Sequence, residues 1–85
     1  MALNYKINIF ETDPADASKT QVTLVVTDDT NDRVFAITKS VTTGSNTDVQ
    51  IVKAAQEAAQ SEIDIWKAQG DVAGKTWNPD TESIE

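Results

Sequence analysis

Cysteine and histidine are both absent from this chain of 85 residues. Without cysteine there is no disulfide, and without either residue there is no ordinary structural zinc site. A chain of this size makes one small domain, whose single core supplies little net stability. Association with itself or with a partner is therefore the remaining common route to more buried surface.

The residues that most enzymes use are also missing. The serines have no histidine base, there is no cysteine thiol, and the three glycines are not spaced as a phosphate-binding loop. A carboxylate-based enzyme is compatible with the composition, but a core this thin leaves little room for a cleft. We therefore expect no enzymatic activity, no catalytic residue, no cofactor and no metal.

Basic residues are few, and the formal net charge is −7. Residues 1–45 carry four basic and six acidic side chains, whereas residues 46–85 carry three and eight. This balance argues against binding to nucleic acid through phosphate neutralisation and against binding to anionic membranes. An acidic surface either keeps the chain soluble or meets a basic protein.

Long apolar runs are missing too. No segment approaches the roughly 20 apolar residues that cross a bilayer, and the N-terminus has no basic region followed by an apolar stretch. We expect a soluble, unprocessed protein that is cytoplasmic or, if it derives from a phage, virion-associated.

The clearest pattern in the sequence is an amphipathic helix from Asp48 to Gln69. Thr47 and Gln50 have the spacing of a capping box, and Asn46 and Asp48 are alternative N-caps. No proline or glycine interrupts the segment, and Gly70 follows as a candidate C′ residue. Glu62 lies within the apolar arc. We favour the interpretation that this part of the arc is only partly buried and that the Glu62 carboxylate reaches solvent; the alternative is a buried acid with a raised pKa. The other residues of that arc are Ile51, Val52, Ala55, Ala58, Ala59, Ile63 and Trp66.

Three strands are predicted before the helix. The first runs from Ala2 to Glu11, with Leu3, Tyr5, Ile7 and Ile9 on one face. Phe10 breaks the alternation and either begins the exit from the strand or adds an apolar spot to the outer face. A loop over residues 13–18 leads to strands at residues 20–28 and 33–41, the third with Phe35, Ile37 and Val41 on one face.

The predicted fold is therefore α+β. A three-stranded antiparallel sheet is followed by one long helix packed on one of its faces, because the strands are joined by short connections. Residues 1–70 form this single domain, and residues 71–85 form a short acidic tail that is either flexible or anchored by Trp77.

The polar cluster between the second and third strands has the spacing of the first ligands of a calcium loop, at Asp28, Thr30 and Asp32. However, Arg33 stands where such a loop needs glycine, and Lys39 stands where it needs glutamate. We therefore interpret the cluster as a hairpin turn.

The predicted helix is longer than the predicted sheet, at about 33 Å against about 26 Å for eight-residue strands. If the N-terminal half packs on the sheet, the overhang exposes Ile63, Ile65 and Trp66. These three residues, with Trp77, are the predicted contact of a homo-oligomer. The alternative is that the tail folds back over them.

The cysteine-free, acidic composition, rich in Thr, Asn and Asp, resembles that of small proteins of tailed bacteriophages and their hosts. This resemblance implies a structural accessory that self-associates or decorates a larger assembly. The alternative is an acidic inhibitor or nucleic-acid mimic that binds a basic site on another protein. A nucleic-acid-binding domain comes third, because only Lys6 and Lys39 suggest a basic patch on the sheet. The acidic surface of the alternative consists of Glu57, Asp64, Asp71, Asp80 and Glu82.

Overall fold

The computed structural model describes residues 3–85 and contains one long helix and two separate sheets. The first three strands form an antiparallel sheet with the second strand in the middle, and the last two strands form a small hairpin. The predicted α+β fold is confirmed, although Ala2, the predicted start of the first strand, lies outside the described residues. The elements are β1 (Leu3–Asp13), β2 (Asp16–Asp28), β3 (Arg33–Thr42), α1 (Asp48–Val72), β4 (Trp77–Asn78) and β5 (Ser83–Ile84).

The central strand β2 has one face against the helix. Val22, Leu24 and Val26 are buried on this face, and their neighbours on β3, which include Phe35 and Ile37, share it through the antiparallel register. The other face presents Thr23, Val25 and Thr27. β-Branched side chains at these positions suit a pleated strand that is covered on one side.

The turn between β1 and β2 is tighter than predicted. A loop was expected over residues 13–18, but β1 continues to Asp13 and β2 begins at Asp16. Asp13 Oδ1 accepts from the Ala15 amide at 2.8 Å, and Asp16 Oδ1 accepts from the Ser18 amide at 3.0 Å. These side chains satisfy backbone donors at the turn, so the two strands extend further than their hydrophobic pattern indicates.

The helix begins as predicted but ends later. The Gln50 amide donates to Thr47 Oγ1 at 3.2 Å and the Thr47 amide donates to Gln50 Oε1 at 2.8 Å, which completes the capping box. The prediction that Gly70 ends the helix is wrong, since the helix continues to Val72. Gly70 is buried, and a Cβ there would lie 2.6 Å from Nη1 of Arg33. Its missing side chain serves close packing instead of a left-handed cap.

The core is a single layer between the helix and the sheet, and the molecule is elongated. The radius of gyration is 16.6 Å, whereas a compact chain of this length has about 12 Å. Its principal extents are 56 × 21 × 18 Å. The buried apolar residues are Val22, Leu24, Val26, Ile37, Ile51, Ala55, Ala59, Ile63 and Trp66.

Candidate interaction surfaces

The helix lies over β2 and β3 and leaves the inner face of β1 uncovered. A helix is about 10 Å across, and neighbouring strands lie about 4.8 Å apart. One helix therefore covers about two strands of a three-stranded sheet. Ile7 on β1 is 50% exposed and Val49 on the helix is 73% exposed. A groove of about 530 Å³ lies between them.

This β1-helix groove was not predicted from the sequence. Its apolar lining comes from β1 and from the first two turns of the helix, and its polar lining comes from the helix alone. The lining residues are Ile7, Phe10, Val49 and Val52, together with the polar Asp48, Lys53 and Gln56.

A β-bulge places Phe10 in the groove. The register of β1 against β2 shifts between Ile7, which pairs with Leu24, and Ile9, which pairs with Thr23. The extra residue reverses the alternation beyond it. Phe10 pairs with Val22 and joins Ile7 on the helix side, whereas Ile9 lies on the outer face. The prediction that Ile9 shares the face of Ile7 is therefore wrong, and neither alternative for Phe10 holds.

Ile63 and Trp66, which were predicted to lie at an intermolecular contact, are buried within the chain. Ile63 has no exposed surface, and the Trp66 ring stacks on Phe35 with centroids 5.4 Å apart. The overhang predicted for this end is wrong, because the helix runs antiparallel to β3 and its C-terminal half lies over the start of β3, where Trp66 contacts Arg33 and Phe35. The residues by which β2 exceeds its predicted range, 16–19, lie at the other end of the sheet, where Lys19 pairs with Thr42.

Ile65 and Trp77, the other two residues of the predicted contact, are exposed. Ile65 is 58% exposed and Trp77 is 57% exposed. Ile65 and Val72 line a shallow apolar hollow of about 510 Å³ on the outer side of the helix end. Trp77 lies just beyond it in sequence, on the β4-β5 hairpin, opposite Ile84. We call Ile65, Val72, Trp77 and Ile84 the C-terminal apolar surface.

A polar cluster fastens the β2-β3 turn to the end of the helix. The Arg33 guanidinium lies 5.4 Å from the centroid of the Trp66 ring, and its Nη1 donates to the Trp66 carbonyl at 3.1 Å. Asn31 Nδ2 donates to Asp28 Oδ2 at 2.8 Å and to Asp71 Oδ1 at 2.7 Å. These bonds connect turn, strand and helix, so the helix end is held in place.

The buried carboxylate of Asp28 has a structural task. Its Oδ1 accepts from the amides of Thr30 and Asn31, at 3.0 and 3.3 Å. The interpretation of this segment as a hairpin turn is confirmed. Among residues 3–85 the structure contains no group of three or more acidic, histidine or cysteine side chains arranged to hold a metal.

Glu62 is exposed, as favoured for the edge of the helix. Its carboxylate accepts from Lys39 Nζ at 2.7 Å. The alternative of a buried acid is wrong. The predicted basic patch of Lys6 and Lys39 is also wrong. Lys39 pairs with Val22 and lies on the helix side of the sheet, whereas Lys6 pairs with Val25 and lies on the other side. The two lysines therefore do not share a surface.

The residues of the predicted acidic surface are all exposed. Glu57, Asp64 and Asp71 are seven residues apart in sequence. Each is therefore rotated by only about 20° around the helix axis from the one before it, so the three lie in a row along the helix. Asp71 is paired with Lys67 at 2.7 Å. Asp80 and Glu82 lie apart from this row, in the connection between β4 and β5.

Comparison with protein-family models, curated proteins and solved structures gave no match. Within residues 3–85, no helix is long and apolar enough to cross a membrane.

Several carboxylates have pKa values below the usual aspartate value of 3.8. For Asp28, burial raises the pKa, but the hydrogen bonds from Asn31 and Thr30 and the charge of Lys67 together outweigh it. For Asp71, the hydrogen bonds from Lys67 and Asn31 lower the pKa. The hydrogen bond from Ser40 is the main cause for Asp13. In return, the pKa of Lys67 is raised above 10.5, mainly by Asp71.

These pKa shifts predict that the stability of the fold is constant at intermediate pH and falls at both acid and alkaline pH. A carboxyl whose folded pKa is depressed stabilises the fold above its unfolded pKa, and this contribution is lost as the pH falls through the folded value. For Lys67 the contribution is present below 10.5 and is lost as the pH rises through its folded pKa. We expect the melting temperature to be nearly constant from about pH 5 to about pH 10 and to fall on both sides.

Thermal unfolding followed by circular dichroism between pH 2 and pH 11 measures this profile. Asp28→Asn should reduce the fall in melting temperature at acid pH, because the amide does not titrate. Glu57→Gln on the exposed helix face is the matched control. An equal melting temperature at pH 3 and pH 7 would contradict the assignment.

Proposed function

We propose that this protein is a non-enzymatic assembly module that associates with further copies of itself. The observation that carries this proposal is Trp77, a large aromatic residue that is 57% exposed on a hairpin of its own. Ile65 and Val72, which line an apolar hollow at the end of the helix, are exposed as well. Soluble monomers rarely leave contiguous apolar patches bare, and such patches mark contact sites.

The gain from covering Trp77 is substantial for so small a domain. A tryptophan buries roughly 200 Å² when fully covered, and about half of this remains exposed here. At about 25 cal/mol per Å² the remaining area is worth about 2.5 kcal/mol. Each additional apolar side chain in the contact adds to this figure, so self-association supplies stability that a core of nine buried apolar residues does not.

Light scattering over a concentration series tests the proposal. The average mass of the wild type should rise above the monomer mass of 9.2 kDa, and Trp77→Ala should lower the degree of association without changing the circular dichroism spectrum. Val34→Ala is the matched control, because Val34 is also exposed but lies on the outer face of the sheet. A wild-type monomer at every concentration would overturn self-association.

A second candidate is an acidic inhibitor or nucleic-acid mimic. It is favoured by the exposed row of Glu57, Asp64 and Asp71 on the helix. Such a protein would bind a basic target and lose affinity steeply as salt screens the contact. Self-association through apolar surface should persist at high salt, so light scattering at low and high salt separates the two candidates.

A further inference from the structure

We propose that copies of this chain join head to tail, with the β4-β5 hairpin of one copy seated in the β1-helix groove of the next. Trp77 and Ile84 are the inserted side chains. This inference rests on the proposed self-association, which a symmetric contact between two identical surfaces would also satisfy.

The hairpin presents two apolar side chains side by side. Trp77 and Ile84 are paired in register, so they project from the same face of the hairpin. Its ends are closed by reciprocal backbone bonds between Thr76 and Glu85, at 2.9 and 2.8 Å. Asn78 Oδ1 accepts from the Asp80 amide at 3.0 Å in the connection. Because these bonds preorganise the hairpin, docking would immobilise few additional groups and would cost little conformational entropy.

The groove offers a matching apolar site. Ile7, Phe10 and Val49 are exposed on its walls, and the space of about 530 Å³ suits side chains of this size. Lys53 also lines the groove and makes no ion pair within 4.0 Å among the described residues. Asp80 and Glu82 lie between the two inserted side chains in sequence, in the connection of the hairpin, so the hairpin would bring negative charge to this lysine.

The hairpin cannot reach the groove of its own chain. The rise along the helix from Val52 to Val72 is about 30 Å, whereas the chain from Val72 to Trp77 spans at most about 18 Å even when fully extended. The two features therefore lie toward opposite ends of a molecule that is 56 Å long. A contact between unlike surfaces of identical copies repeats, and it produces a ring or a filament.

A complementation experiment tests this arrangement. Val49→Glu blocks the groove but keeps the hairpin, and Trp77→Ala weakens the hairpin but keeps the groove. Val49 is 73% exposed in the first helical turn, where an acidic side chain is compatible with the helix. Each variant alone should be monomeric by light scattering. An equimolar mixture should form a heterodimer of twice the monomer mass and nothing larger, which native mass spectrometry confirms because the two variants differ in mass.

The outcomes separate this inference from the proposed function. If the wild type associates and either variant retains the wild-type mass, self-association stands but the head-to-tail contact is wrong. If both variants are monomeric and their mixture also stays monomeric, Val49 and Trp77 belong to one symmetric interface, and the inference is overturned. A monomeric wild type would overturn both. Circular dichroism of each variant verifies that it is folded, and Val34→Ala serves as the control that should leave association unchanged.

Discussion

Trp66→Ala is expected to lower the free energy of unfolding by about 3–5 kcal/mol, out of roughly 4–13 kcal/mol for a domain of this length. Trp66 is only 6% exposed, stacks on Phe35, and carries the Arg33 guanidinium over its ring. Truncation removes the largest core side chain and leaves a cavity beneath a charged group. Urea unfolding followed by circular dichroism measures the loss.

Trp77→Ala provides the matched control for this substitution. The residue type and the change are the same, but Trp77 is 57% exposed outside the core, so its removal should alter monomer stability by no more than about 0.5 kcal/mol. Measurements at low protein concentration keep self-association from contributing. Equal destabilisation by the two substitutions would contradict the assignment of Trp66 to the core.

The helix and the three strands were predictable because local patterns determine them. Thr47 and Gln50 show the capping box directly, and the alternation of Val22, Leu24 and Val26 indicates a half-buried strand. The end of the helix was not predictable in this way. Gly70 is a residue type that commonly ends helices. Its role here depends on Arg33, which is distant in sequence and reaches the helix only in the folded chain.

The groove was missed for a different reason. The bulge in β1 has one local signal, Phe10 at the position where the alternation fails, and a bulge is the conformation that returns such a residue to the apolar face. The width of the layers gives a second signal, because one helix covers only about two strands. Together these two observations predict that one edge strand is uncovered and that Phe10 returns to the apolar face, whereas the choice of β1 depends on where the helix packs in the folded chain.

The prediction of an exposed helix end was wrong because it depended on which end of the helix lies over the sheet. The overhang was assigned to the C-terminal end, but the helix runs antiparallel to β3, and Trp66 contacts Phe35 and Arg33 next to the β2-β3 turn. Ile63 and Trp66 therefore meet the sheet, whereas Ile65 is exposed. The interface prediction for Ile65 and Trp77 is one that only a solution measurement can test.

Ile63→Ala is expected to destabilise the fold by about 3 kcal/mol, and Ile65→Ala by no more than about 0.5 kcal/mol. The two isoleucines are two residues apart on one helix, so the gain in helix propensity on going to alanine and the apolar atoms removed are the same. Only their burial differs, because Ile63 has no exposed surface and Ile65 is 58% exposed.

The pair also separates folding from association. Ile63→Ala should lower the midpoint of urea unfolding at every protein concentration, since its contacts lie within one chain. Ile65→Ala should change that midpoint little in dilute solution. If association uses the whole C-terminal apolar surface, the substitution should lower the midpoint at concentrations where the wild type associates, because binding between folded copies stabilises them by mass action; a contact limited to the hairpin and the groove predicts no such loss. An unfolding midpoint of Ile65→Ala that falls equally at all concentrations would place Ile65 in the core and remove it from the C-terminal apolar surface.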